Sequence, residues 1–240
     1  MKVFTKALLA ALGGGLLAPA AQSSDLRVAP VIIEPLPGAR TTNFTLINEE
    51  DRVLRAQVRV MRWSIVDGKE VLTPTTDLVA SPPLVSLKPK QHYLVRLVRT
   101  AKAPPVGEES YRVLVDEVPD PKATVPAGSV QLVLRLSIPV FFSDIPKRAA
   151  QVKWNVERDG ATTWLTATNT GNRRLRLADL SLAAGGKQVY QQQGLIGYVL
   201  AGSTTRFPIP ATLPSDGMLE LKATGDTGPV EVALAARPGA

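Results

Sequence analysis

Histidine, cysteine and paired carboxylates supply most catalytic and metal sites, and this sequence has few of them. Among 240 residues there is one histidine, His92, and no cysteine. A Ser-His-Asp triad would have to be built on His92, which follows the turn-like Lys88-Pro89-Lys90 and reads as an exposed strand-end residue. A zinc site needs several nitrogen or sulfur ligands, so one imidazole excludes the usual ones. Asp116 and Glu117 are neighbours. On a strand they face opposite sides and cannot share a proton. No phosphate-cradling glycine motif follows a strand, since Gly13-Gly14-Gly15 lies in an apolar N-terminal run. The sequence therefore argues for binding over catalysis, with no metal and no cofactor.

The chemistry that remains is apolar burial. Val130, Leu132, Leu134, Leu136 and Ile138 occupy every second position of Ser129 to Phe142, and Val140 continues the series. In a strand they share one face, while Gln131, Arg135 and Ser137 interrupt the other. A strand this apolar needs a partner, because an unpaired one is an aggregation site. The partner is either the core of its own sandwich or another chain.

The elements around it are short. Twenty prolines and 18 glycines punctuate apolar runs throughout the chain. That pattern favours many strands with tight turns. Strand-like runs cover Leu26 to Ile33, Thr42 to Ile47, Leu54 to Ser64, Tyr93 to Arg99 and Tyr111 to Val118. Asp67-Gly68 signals a hairpin, and Pro82-Pro83 makes Val79 to Val85 an edge or crossing segment. A second series runs from Val152 to Ala235, with separate strands expected at Gln188 to Tyr190 and Tyr198 to Leu200. The fold class is all-β: two Ig-like β-sandwich domains, 22–143 and 144–240, joined at a short hinge around Asp144 to Arg148. The halves show no repeat at the level of sequence.

Residues 1–21 read as a signal peptide: Lys2 and Lys6, an apolar run from Ala7 to Ala18, then Ala18-Pro19-Ala20. Export to a bacterial periplasm follows, without insertion in the membrane. The formal charge is +7, and losing the two leader lysines leaves roughly +5. The basic residues are scattered, with Arg55, Arg59, Arg62, Arg96 and Arg99 set among apolar ones as a solvated strand face would be. An exported chain with that distribution is not expected to bind nucleic acid.

Several segments in order resemble the periplasmic pilus chaperones of the chaperone–usher pathway. They are Ser81-Pro82-Pro83, Leu87-Lys88-Pro89, Leu94-Val95-Arg96-Leu97, Glu109 to Pro119 and Arg135 to Phe141. Asn169 to Asn172 and Leu200 to Ser203 match turns of the second domain. The resemblance implies donor-strand complementation, in which the chaperone lends its seventh strand to a pilin lacking one, a form of β-augmentation. The implied donor residues are Val130, Leu132, Leu134, Leu136 and Ile138. The implied partners are pilin subunits and an outer-membrane usher, with self-association a further option for the free protein.

Three positions depart from the best-studied branch. Ile32 and Pro139 stand where it carries the Arg and Lys that hold the subunit's terminal carboxylate, and Ser143 stands where an Arg braces the two domains. The pattern around Tyr111-Arg112 and Arg135 to Pro139 is similar to the archaic, spore-coat-like branch. Arg112 and then Arg135 become the expected carboxylate anchors, since a guanidinium pairs bidentately with a carboxylate. The alternative reading is a pilus subunit or adhesin of the same system.

Overall fold

The computed structural model describes residues 26–119, 133–144, 149–160, 162–214 and 216–235. The expected signal peptide, the donor positions Val130 and Leu132, and most of the expected hinge lie outside them. The described residues contain sixteen strands and no helix. The N-terminal half holds β1 (Leu26–Ala29), β2 (Thr41–Asn48), β3 (Leu54–Val66), β4 (Lys69–Pro74), β5 (Leu78–Ser81), β6 (Leu84–Leu87), β7 (His92–Arg99), β8 (Glu108–Glu117) and β9 (Arg135–Ser143). The C-terminal half holds β10 (Val152–Asp159), β11 (Thr162–Asn169), β12 (Leu175–Ala184), β13 (Lys187–Val199), β14 (Thr204–Ile209), β15 (Met218–Gly225) and β16 (Gly228–Ala235).

Each half is a sandwich of two sheets. In the first, β1-β2-β7-β5 packs over β4-β3-β8-β9, and β6 also pairs with β3. In the second, β10-β11-β14 packs over β13-β12-β15-β16. Period-2 patterning makes these sheets two-faced. Phe44, Leu46, Val95, Leu97, Tyr111, Val113 and Val115 point into the first core. Leu165, Leu177, Leu180, Leu182, Leu219 and Leu221 point into the second. The segment containing Pro82-Pro83 crosses between sheets, since β5 pairs with β7 and β6 with β3.

Three strand expectations change. β4 was not anticipated, yet the Asp67-Gly68 turn leads straight into it. Gln188 to Tyr190 and Tyr198 to Leu200 are not separate strands, because β13 runs unbroken from Lys187 to Val199. Its polar middle is accommodated by a bulge, where Gly194 at φ +78° donates its N–H to Asp179 Oδ1 at 2.8 Å. Arg99 is not on a solvated face. It is buried, with its guanidinium bidentate on Glu109.

One device occurs in both halves. Asn48 is buried, donates Nδ2 to the carbonyls of Arg52, Leu87 and Lys88, and accepts the Glu50 N–H at Oδ1. Asn169 is buried, donates Nδ2 to the carbonyls of Arg173 and Val199, and accepts the N–H groups of Gln151 and Gly171. Each amide fastens the loop that follows its strand, in the manner of an Asx turn. This is a structural repeat where the sequences show none.

Candidate binding edge and interdomain cleft

β9 is the outer strand of its sheet and pairs along its length only with β8 among the described residues. Its even positions carry side chains toward the first core. Ile138 is only 4 % exposed and sits inside that core with Val140 and Phe142. It is occupied by its own domain, which corrects its placement among the residues free for a partner. Leu134 and Leu136 are half-buried at the margin of the same core. Val133, Arg135 and Ser137 are exposed on the opposite face.

That opposite face leads into a cleft between the domains. Trp63 and Phe141 lie either side of buried Ser110 in one cross-strand row. The small serine lets their rings meet at 5.8 Å between centroids. From the second domain Tyr198 closes on them, edge-on to Trp63 at 5.1 Å, and Leu200 completes a third apolar cluster. Contacts at such distances are favourable beyond the area they bury.

The two expected anchors differ in setting. Arg112 sits over the Trp63 ring at 3.8 Å and donates to Glu70 at 3.3 Å, leaving its side chain 13 % exposed. Arg135 is 64 % exposed and pairs with Asp116, which also takes a two-bonded contact from Arg59 at 2.7 and 3.0 Å. Burial pushes the Asp116 carboxyl up, but the hydrogen bonds and charges of Arg135 and Arg59 outweigh it and hold the group below its ordinary value. Both arginines therefore lie on the cleft-facing side of the sheet, and each already has a carboxylate partner.

A third arginine was not singled out in the sequence. Arg174, in the loop before β12, is 3 % exposed. It crosses to the first domain, where its Nη1 donates to Glu108 at 2.7 Å, its Nη2 pairs with Glu34, and its Cζ lies 3.6 Å from the centroid of the Phe141 ring. Burial pulls its guanidinium down to about 10, against the raising charge of Asp226, so it stays protonated at neutral pH. This residue supplies the interdomain brace expected at the position of Ser143. A second strut is the hairpin tip, where Gly68 accepts the Arg206 N–H at 3.2 Å.

Among the described residues no group of histidines or carboxylates could hold a metal ion. No described helix is long and apolar enough to cross a membrane.

Residues 26–147 match the family described as pili and flagellar-assembly chaperone, PapD N-terminal domain. The chain belongs to that family. Among solved structures, it is similar to a chain of the CsuC–CsuE chaperone–tip adhesion subunit pre-assembly complex from archaic chaperone–usher Csu pili of Acinetobacter baumannii. That match has a TM-score of 0.70 and 21% identity, covering 87% of this chain and 97% of that one. It is also similar to the E. coli chaperone DraB, with a TM-score of 0.56 and 26% identity over 89% of this chain and 98% of that one. A chain of the Salmonella enterica SafA pilin–SafB chaperone complex matches at 0.59 and 20% identity, covering 90% and 97% respectively. No curated protein matches the chain by sequence. The two-sandwich fold of these pilus chaperones is thus the fold of this one.

Proposed function

We propose that this protein is a periplasmic chaperone that holds a pilin subunit by lending it β9 and the residues before it, then passes the subunit to an outer-membrane usher. The observation that carries the reading is the state of β9: a sheet edge with no strand along its outer side among the described residues, and with Leu134 and Leu136 half-exposed at the margin of the core. A subunit with an open core would continue the first sandwich across that edge. Main-chain pairing supplies general affinity and the alternate side chains fill pockets. Residues 1–21 serve as the leader that brings the chain to the periplasm, and no cofactor takes part.

The donor set is Val130, Leu132, Leu134 and Leu136, with Ile138 left to the core. Each leucine buried contributes roughly 1.5–3 kcal/mol, part of which is offset by ordering on binding. Arg112 and Arg135 remain the cations proposed for the subunit's carboxylate, each exchanging its present partner for it. Assignment to the archaic branch rests on the Tyr111-Arg112 and Arg135 to Pro139 pattern and is in keeping with the likeness to the Csu structure. A pilus subunit is disfavoured by the two separate, filled cores.

Co-expression with a pilin of the same pilus system should yield a one-to-one complex on size exclusion. Leu132→Glu with Leu134→Glu should abolish that complex while the free chaperone stays folded. Retention of the subunit by the double variant would remove these residues from the donor role.

A further inference from the structure

We infer that Trp63 and Tyr198 are positioning residues for subunit capture: their rings, one from each domain, hold the Arg112 guanidinium ready for a carboxylate of the subunit. The inference rests on the reading of Arg112 as an anchor and adds what the second domain contributes to it.

Arg112 needs a support that its own sheet does not give. It lies on β8 opposite Met61 and Pro139, neither of which carries a charge. Its contact with Glu70, from Nη2 at 3.3 Å, is longer than a well-formed hydrogen bond. Glu70 is also 44 % exposed, and an ion pair so open to water holds weakly. Arg112 Nε is buried and has no acceptor among the described residues. A buried donor without a partner calls for one, and an incoming carboxylate brings two acceptor oxygens. A free arginine chain would offset part of that gain, because ordering its rotamers costs free energy on binding.

What orders this chain is a pair of rings. The Arg112 Cζ lies 3.8 Å from the centroid of the Trp63 ring and 5.6 Å from that of Tyr198. A guanidinium on a ring face keeps its N–H groups available to an acceptor. Trp63 itself is not pinned by a hydrogen bond, since its Nε1 is buried with no acceptor among the described residues. Packing sets its ring. Phe141 approaches it from the first domain, and Tyr198 from the second, edge-on at an interplanar angle of 81°. Tyr198 is buried in turn, and its carbonyl accepts from Thr205 Oγ1 at 3.2 Å. The second domain therefore reaches the anchor through Tyr198 and Trp63. A purely structural Tyr198 would matter to every contact with the subunit. A positioning Tyr198 matters only to those made by a carboxylate.

A synthetic peptide copying the C-terminus of the co-expressed pilin, made as the free acid and as the amide, is titrated calorimetrically against the purified chaperone. The unmodified protein should favour the acid about tenfold, and Arg112→Ala should remove that preference. Tyr198→Leu and Trp63→Leu should each cut the preference roughly fivefold while binding of the amide is unchanged. Tyr198→Phe, which keeps the ring, should retain the preference. Adding Tyr198→Leu to Arg112→Ala should weaken neither peptide further, since the two act through one group. An undiminished preference in Tyr198→Leu, or an equal loss for both peptides, would overturn the inference and leave the anchor standing. An unmodified protein that binds neither peptide, or both alike, would overturn the anchor reading and this inference with it.

Discussion

Glu109 sits in a polar network of the first domain with Arg99, Tyr111 and Arg62. It takes two hydrogen bonds from Arg99 at 2.7 and 2.8 Å and one from the Tyr111 hydroxyl at 3.0 Å. Arg62 donates in turn to that hydroxyl at 2.9 Å. Burial raises the Glu109 carboxyl, but the bonds from Arg99 and Tyr111 and the nearby charges bring it below its ordinary 4.5. Burial also pushes the Tyr111 phenol up to about 12. A carboxyl depressed in the folded state adds stability above its unfolded value, and that stability is lost as pH falls through the folded value. Glu109→Gln should therefore cost stability at pH 7 and flatten the decline below pH about 4.5. Urea midpoints of both proteins at pH 7 and pH 3.5 test this. Parallel declines would show that Glu109 is not the acid-sensitive group.

Elements show what the sequence does and does not disclose. β2, β7 and β8 are legible because their apolar residues alternate and each lines one core. β13 is not, because a bulge lets a polar Gln191-Gln192-Gln193 run stay in the ladder. The apolar run at β9 was legible as a strand but not by role, since one parity holds both a core residue, Ile138, and the half-exposed Leu134 and Leu136. Arg174 carries no signal in the sequence because Glu108 and Glu34, which hold it, lie 66 and 140 residues away in the chain. Only the folded chain brings those charges together. The Asp67-Gly68 turn was legible, but its docking on β14 was not. Both turn residues have positive φ, +51° and +76°, the pattern of a two-residue hairpin. A Cβ at Gly68 would also stand 2.9 Å from Arg206 Cγ. Gly68→Ala should cost roughly 1–2 kcal/mol from the left-handed backbone alone, read from denaturation midpoints. An unchanged midpoint would mean the tip shifts freely and is not a strut.

At the scale of the whole molecule, the contacts that fix one domain on the other among the described residues include the Trp63-Phe141-Tyr198-Leu200 cluster, the Gly68–Arg206 strut, the Arg173–Glu34 ion pair and Arg174. Arg174 has the largest electrostatic stake. Truncating it would leave Glu108, 5 % exposed, facing Glu34 without that cation. Removing one partner of such a buried pair costs about 3–5 kcal/mol. Arg174→Ala should lower the unfolding midpoint by that order and widen the interdomain distance distribution in small-angle scattering. A scattering curve identical to that of the unmodified protein would leave the aromatic cluster as the hinge's main restraint.

The paired asparagines carry a consequence for how the chain acquires its shape. Asn48 is satisfied by Glu50, Arg52, Leu87 and Lys88, and Asn169 by Gln151, Gly171, Arg173 and Val199. Every partner comes from the same half as its asparagine. Each sandwich can close its own keystone without waiting for the other, so the first half is equipped to mature while the second is still unfolded. The Arg174 bridge needs both halves finished, which places domain docking at the end of the pathway.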